Sequence, residues 1–257
     1  MLIPVTIDGQ IIEVEKGTNL LEAARRLGLH VPTLCYHEAL EPYGACRLCQ
    51  VEVVSRGRSR VRTACEYPVL REGEVVLTNS EPALQIRRLV VELLLARCPD
   101  VPILRELADE LGLREVRFRT LGEPSQCILC GLCVRVCNEV LGRNAISFAG
   151  RGVGRRVSTP YAVNSERCIG CGACAQVCPT GVIRIQEREG KLQLRFWNTE
   201  VELTTCRSCG VGFAPGAALL LAREKVPDLE DVLSLCPKCR GQHARNHVII
   251  GVECVSW

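Results

Sequence analysis

With 257 residues and 47% hydrophobic content, the chain is globular and can bury two or more small cores. Its 32 basic residues are interspersed with 29 acidic ones, so a net charge of +3 makes no case for nucleic acid or acidic substrates. Eighteen cysteines would suit a disulfide scaffold, but such scaffolds are short and exported, and the C-x2-C spacing here points to metal. The opening MLIPVTIDGQ lacks the basic start and long apolar run of a signal peptide. No stretch approaches the roughly 18 to 20 apolar residues of a membrane span, so a cytoplasmic protein, at most docked to a larger complex, is expected.

The first segment reads as a compact α+β unit. VTIDGQIIEVEKG alternates apolar residues around Asp8-Gly9, a dipeptide that supplies the positive φ angles of a two-residue turn, so two hairpin strands are expected. In TNLLEAARRLGLH, Asn19 and Glu22 have capping-box spacing, Leu20, Ala23, Ala24 and Leu27 share a face, and Gly28 ends the helix. A hairpin followed by a helix begins a β-grasp. Strands at 50–54 and 74–78 complete the sheet.

Within this unit fall Cys35, Cys46, Cys49 and Cys65. The C-x2-C pair sets two thiolates on one side of a tight loop, and Gly44 and Ala45 let backbone N–H groups approach bridging sulfides. Four thiolates suit a 2Fe-2S cluster, with a four-thiolate zinc as the alternative. His37 is read as a loop histidine, because the four thiolates already complete the site.

CILCGLCVRVCN and CIGCGACAQVCPT each read C-x2-C-x2-C-x3-C, the spacing that gives three ligands to one 4Fe-4S cluster and a fourth to its neighbour. By that crosswise rule Cys127, Cys130, Cys133 and Cys178 hold the first cluster, and Cys137, Cys168, Cys171 and Cys174 the second. Between the motifs, AGRGVGRR places Arg155 where a dinucleotide fingerprint needs its third glycine, so it is read as a connecting loop.

TTCRSCGVGFAP and SLCPKCR contribute Cys206, Cys209, Cys236 and Cys239 as two C-x2-C knuckles 26 residues apart. That arrangement predicts a zinc ribbon, in which tetrahedral zinc closes a fold too small to stand on its core alone. The rival is a third 4Fe-4S cluster. PGAALLLAREKV between the knuckles reads as a short helix, with no concentrated basic and aromatic face for nucleic acid. His243 and His247, four residues apart, are read as a solvated pair, and Cys254 as structural.

The cysteine pattern C-x10-C-x2-C-x15-C on a hairpin-first β-grasp, followed by the two ferredoxin motifs, resembles the diaphorase-type iron–sulfur subunit of NAD-linked hydrogenase and formate dehydrogenase complexes. It is similar to the N-terminal part of the large iron–sulfur subunit of NADH:quinone oxidoreductase and of iron-only hydrogenases. The resemblance covers roughly residues 1 to 187, and Asn138, where the ordinary bacterial run has Pro, matches the diaphorase subunits. In that family an "ELLL"-like run precedes a site of one histidine and three cysteines for another 4Fe-4S cluster. Here VVELLLAR survives without those ligands. Ser80 and Pro82 mark a helix start, Leu89, Leu93 and Ala96 share a face, and PDVPILRELADELG forms a second helix with Asp100 as its candidate cap and Ile103, Leu104, Leu107 and Leu111 on its apolar face. Cys98, alone between them, is read as a small buried hydrophobe rather than a ligand donated to a partner.

The expected architecture is therefore α+β: a β-grasp 2Fe-2S ferredoxin domain (1–78), a helical linker lacking a cluster (79–122), a bacterial-type two-cluster 4Fe-4S ferredoxin domain (123–187) and a zinc-ribbon-like domain (188–257). The expected cofactors are one 2Fe-2S cluster, two 4Fe-4S clusters and one zinc. No catalytic group or hydride-handling site is apparent, so the chain reads as an electron wire. The resemblance implies an NAD(P)H-binding flavin and iron–sulfur subunit as partner, a thioredoxin-like 2Fe-2S subunit, and a terminal redox subunit of hydrogenase, formate dehydrogenase, ferredoxin or transhydrogenase type. The alternative is a metal-stabilised binding or docking module. An iron-only hydrogenase would need further cysteines for its catalytic cluster.

Overall fold

The computed structural model describes residues 1–120, 123–227 and 230–250, without the side chains of 230 and 245–250; Cys254 lies outside the described residues, as does the side chain of His247. Strands β1 (Leu2–Ile7) and β2 (Gln10–Glu15) pair antiparallel across Asp8 and Gly9, which take φ of 46° and 83°. Helix α1 (Leu20–Arg26) follows, and Asn19 caps it by accepting the Glu22 N–H at 2.9 Å, a contact worth about 1 kcal/mol. Only half of the expected capping box forms, because the Glu22 carboxylate turns outward to Arg26. Strands β3 (Gln50–Ser55), β4 (Arg58–Thr63) and β5 (Val75–Leu77) complete a five-stranded sheet of order β2-β1-β5-β3-β4, with β1 and β5 parallel. Leu20, Leu21, Ala23 and Ala24 of α1 pack on Ile3, Val5, Val51, Val53 and Val76 of the sheet. Burial of a leucine there contributes about 1.5–3 kcal/mol.

The edge strand β4 aligns Arg58, Arg60 and Arg62 opposite Ser55, Val53 and Val51. These guanidiniums border an open groove with Arg56 and Arg71, and a row of charge on an edge discourages pairing with another chain.

Helix α2 (Glu81–Arg97) starts after Ser80 with Pro82 in its first turn, as expected. Its buried face carries Ala83, Arg87, Val91 and Leu95, continued by Cys98, so Leu89 and Leu93 point outward, 40% and 49% exposed. Arg87 is tolerated inside because it donates to the carbonyls of Gln50 (2.5 Å) and Thr78 (2.7 Å). The buried Glu92 carboxylate accepts from Arg117 Nη2 at 2.7 Å and pins the segment after helix α3 (Pro102–Glu110) onto α2. Asp100 is not the cap of α3. Val101 holds that position with Pro102 first in the helix, and Asp100 pairs with Arg105 at 3.0 Å instead.

Helix α4 (Leu132–Arg135) runs directly into a π turn over Val136–Val140, in which Leu141 N–H reaches the Val136 carbonyl at 3.1 Å. Strands β6 (Ser147–Ala149) and β7 (Arg156–Ser158) form a hairpin around the Gly152–Gly154 turn, so the glycine-rich stretch is a hairpin loop with no helix after it. Helix α5 (Ala173–Gln176) stops before Cys178-Pro179, since a proline lacks the donor that a further turn needs. Asn138 has that donor, which explains why the first motif continues as helix where the second ends.

A second sheet of order β11-β10-β9-β8 follows, from β8 (Ile185–Arg188), β9 (Lys191–Leu194), β10 (Thr199–Thr205) and β11 (Gly212–Pro215). β8 straddles the expected boundary at 187/188. Gly170, in the second cysteine motif at φ 66°, touches this sheet so closely that a Cβ there would lie 2.9 Å from Pro215 Cγ. Helix α6 (Gly216–Lys225) occupies the expected stretch between the knuckles, and α7 (Glu230–Leu233) and α8 (Pro237–Ile250) close the described chain. Among the described residues no helix is long and apolar enough to cross a membrane.

Candidate metal centres

The loop before β3 and the short turn after β4 bring Cys35, Cys46, Cys49 and Cys65 together, all buried. They stand as two pairs: Cys46 N–H points at Cys35 Sγ (3.4 Å) and Cys65 N–H at Cys49 Sγ (3.5 Å). The neighbouring Cys35 thiol, as the leading cause, lowers the Cys46 thiol to about 6, and Cys65 likewise holds the Cys49 thiol below its usual value. Gly44 takes a left-handed φ of 62° beside the movable Glu66 carboxylate, so it is the backbone conformation that favours glycine there. Arg87, buried and hydrogen-bonded to Asn79 and to the carbonyls of Gln50 and Thr78, interacts electrostatically with the Cys49 side chain and with the Asp8 carboxylate, so it sets positive charge near one sulfur of this group. His37 is exposed and its Nδ1 accepts the Ala39 N–H at 3.2 Å, which makes it part of the loop.

The two ferredoxin motifs wrap two separate small cavities. Cys127, Cys130, Cys133 and Cys178 line one; Cys137, Cys168, Cys171 and Cys174 line the other. The fourth cysteine of each motif thus stands with the other motif's first three, the crosswise grouping expected from the spacing. Both motifs enter their helices through a left-handed glycine, Gly131 (φ 81°) and Gly172 (φ 77°), which turns the loop around its sulfurs. Burial raises the Cys130 thiol to about 12, the direction expected of a thiol taken out of water. Arg97, at the end of α2, anchors the first loop by donating to the Cys127 carbonyl at 3.1 Å.

The three sites adjoin in order. Cys35 and Cys46 share one packed apolar cluster with Cys130, and Cys46 acts electrostatically on Cys130. Cys133 and Cys174 share the next cluster and interact likewise. Cys98 is fully buried in the first of these clusters, against Val91, Leu95, Val101 and Leu104, and burial pushes its thiol up to about 11. Among the described residues it belongs to none of the four cysteine groups, although Cys127 acts on it electrostatically. Cys98→Ala is expected to leave iron content and every paramagnetic signal unchanged; metal analysis and EPR of the reduced protein check this, and loss of one complete signal would contradict it.

Cys206, Cys209, Cys236 and Cys239 form a fourth group, with ligand atoms all within 4.8 Å of one another. Cys236 N–H donates to Cys206 Sγ at 3.2 Å and, as the leading cause, lowers that thiol to about 6. Gly210, at φ 73°, closes the first knuckle by donating to the Cys206 carbonyl at 2.9 Å. The core here consists of Cys206, Leu235, Cys236 and Cys239 with Phe213 against it, so most of its buried groups are the sulfurs themselves.

Residues 1–81 match the 2Fe-2S iron-sulfur cluster binding domain, and residues 126–182 and 167–213 match the 4Fe-4S dicluster domain. The alpha subunit of the NADPH-Fe(3+) oxidoreductase of Geobacter sulfurreducens is 34% identical over 234 residues, 82% of this chain and 27% of that protein. The mitochondrial 78 kDa subunit of the NADH-ubiquinone oxidoreductase of Candida albicans is 31% identical over 206 residues, 70% of this chain and 28% of the relative. The chain thus spans about a quarter of the length of these curated relatives. Among solved structures, a chain of the NAD+-reducing [NiFe]-hydrogenase in the H2-reduced state superposes with a TM-score of 0.54 at 30% identity, covering 61% of this chain and 74% of that one. At that identity and coverage, and with 2Fe-2S and 4Fe-4S ferredoxin-type domains of its own, the chain belongs to the family of diaphorase-type iron–sulfur subunits.

Proposed function

We propose that this chain relays single electrons between an NAD(P)H-oxidising flavoprotein subunit and a second redox module. The observation that carries this reading is the contiguity of the three cysteine sites, with Cys46 and Cys130 in one packed apolar cluster and Cys133 and Cys174 in the next. Cys35, Cys46, Cys49 and Cys65 would hold a 2Fe-2S cluster. Cys127, Cys130, Cys133 and Cys178 would hold one 4Fe-4S cluster, and Cys137, Cys168, Cys171 and Cys174 the other. Such clusters supply one-electron redox chemistry. The protein's part is to exclude water around the sulfurs, to offset their charge with groups such as Arg87, and to hold neighbouring sites against shared apolar walls. No residue is assigned a proton- or hydride-transfer role, and the chain is read as a cytoplasmic component of a larger complex.

The fourth site is read as zinc in a ribbon-like segment over 188–257. Tetrahedral zinc–thiolate bonds of about 2.3 Å put the sulfurs about 3.8 Å apart, and Cys209 Sγ lies 3.7 Å from Cys236 Sγ. A 4Fe-4S cluster carries its four thiolates on separate irons and spreads them more widely. The ligand spacing therefore favours a single ion.

Both readings are tested on one anaerobic preparation of the whole chain. Metal analysis should give about ten iron and one zinc, the sum over these sites. EPR of the fully reduced sample should show signals broadened by magnetic interaction between adjacent clusters. About fourteen iron without zinc would overturn the zinc assignment, and three magnetically isolated signals would overturn the relay.

A further inference from the structure

The cavity bordered by Cys137, Cys168, Cys171 and Cys174 has two polar groups in its wall with no partner at ordinary hydrogen-bond distance among the described residues, although the Trp197 indole acts on the Cys174 thiol from beyond that distance. Trp197 Nε1 and Thr159 Oγ1 are both buried without a hydrogen-bond partner, in residues each only 4% exposed. Buried donors are rarely left unpaired, and an orphan facing a ligand cavity calls for an acceptor inside it. The Thr180 hydroxyl of the neighbouring cavity differs, since it already meets Cys178 Sγ at 3.5 Å.

The placement of Trp197 is built into the fold. It ends the Arg195–Trp197 turn between β9 and β10, where Asn198 takes a left-handed φ of 50° and the Thr199 hydroxyl donates to the Trp197 carbonyl at 3.2 Å. Phe196 meets the indole edge-to-face at a centroid distance of 4.7 Å. The indole interacts with the Cys174 side chain, and Trp197 is the one described residue that lines both 4Fe-4S cavities. Neither Trp197 nor Thr159 belongs to a cysteine motif.

We propose that the Trp197 indole N–H and the Thr159 hydroxyl donate hydrogen bonds to sulfur of the cluster held by Cys137, Cys168, Cys171 and Cys174, and thereby raise its reduction potential. The inference rests on the cluster assignment above. Reduction adds one electron to the cluster, delivered from the neighbouring cluster, and makes or breaks no bond in the protein. The added negative charge falls partly on sulfur, so an N–H or O–H donor stabilises the reduced form more than the oxidised one. Both side chains are positioning residues that act on the potential and not on the ligand set.

The test is an EPR-monitored redox titration of the whole chain, reconstituted anaerobically with iron and sulfide. Trp197→Phe and Thr159→Val should each move one 4Fe-4S couple to lower potential, the double variant should move it further, and Thr159→Ser should restore the original value. The couple that moves should be the one abolished by Cys171→Ala, with the other 4Fe-4S couple and the 2Fe-2S couple unmoved. An unchanged midpoint at full iron content overturns the role of the residue substituted, and a shift in the couple abolished by Cys130→Ala overturns the assignment of both. Should Trp197→Phe lose iron, 3-benzothienylalanine at 197 keeps the ring volume without the N–H; the same downward shift supports the inference and an unmoved midpoint overturns it. Absence of two 4Fe-4S couples in the unsubstituted chain would instead overturn the cluster assignment itself.

Discussion

Cys178→Ala is expected to abolish the same EPR signal as Cys130→Ala, although the two residues belong to different motifs. Cys178 shares its cavity with Cys127, Cys130 and Cys133, and acts electrostatically on all three. Its thiol is held below the usual range despite burial by the Thr180 hydroxyl and backbone N–H groups, so it is the member of that group most ready to ligate as thiolate. Removing it leaves three ligands for four irons. The cluster then loses an iron or fails to assemble, a fall of about one to four iron per chain. The reciprocal variant, Cys137→Ala, should match Cys171→Ala. If Cys178→Ala instead silenced the signal lost in Cys171→Ala, the crosswise grouping would be wrong, and with it the picture of two sites locked together by exchanged ligands.

The grouping of the cysteines was legible because such spacing is local. A C-x2-C turn brings its sulfurs together whatever the remainder of the chain does, and the hairpin at Asp8-Gly9 and the Asn19 cap are equally short-range. What the sequence hid depends on contacts between distant segments. β4 reads RSRVRT, with no apolar alternation to mark it as a strand, because an edge strand has little to bury. Leu89 and Leu93 do share a face of α2, but that face points outward, and the buried one includes Arg87, whose carbonyl partners lie at Gln50 and Thr78. The sheet from β8 to β11 has short strands with weak patterning, and it connects the second ferredoxin motif to the knuckles through the contact between Gly170 and Pro215. Trp197 went unnoticed for the same reason: its meaning lies in the two cavities it borders, which no spacing rule marks. Asp100 failed as a cap since Pro102 fixes the helix start one residue later.

The relay reading assigns the chain no site for a nicotinamide or a flavin, and a hydride must be split into single electrons by such a group before clusters can accept it. Among the described residues the glycine-rich stretch that came nearest to a nucleotide fingerprint is the turn of the β6–β7 hairpin, with neither a preceding parallel strand nor a following helix to bind a pyrophosphate. The most direct measurement is stopped-flow absorbance of the flavin-free chain carrying its clusters. Dithionite should bleach the cluster absorbance, NADH and NADPH should leave it unchanged over the same interval, and adding an NAD(P)H-oxidising flavoprotein partner should let the nicotinamide bleach it. Rapid bleaching by NADH or NADPH in the chain alone would contradict the relay assignment and place a hydride-accepting site within this protein.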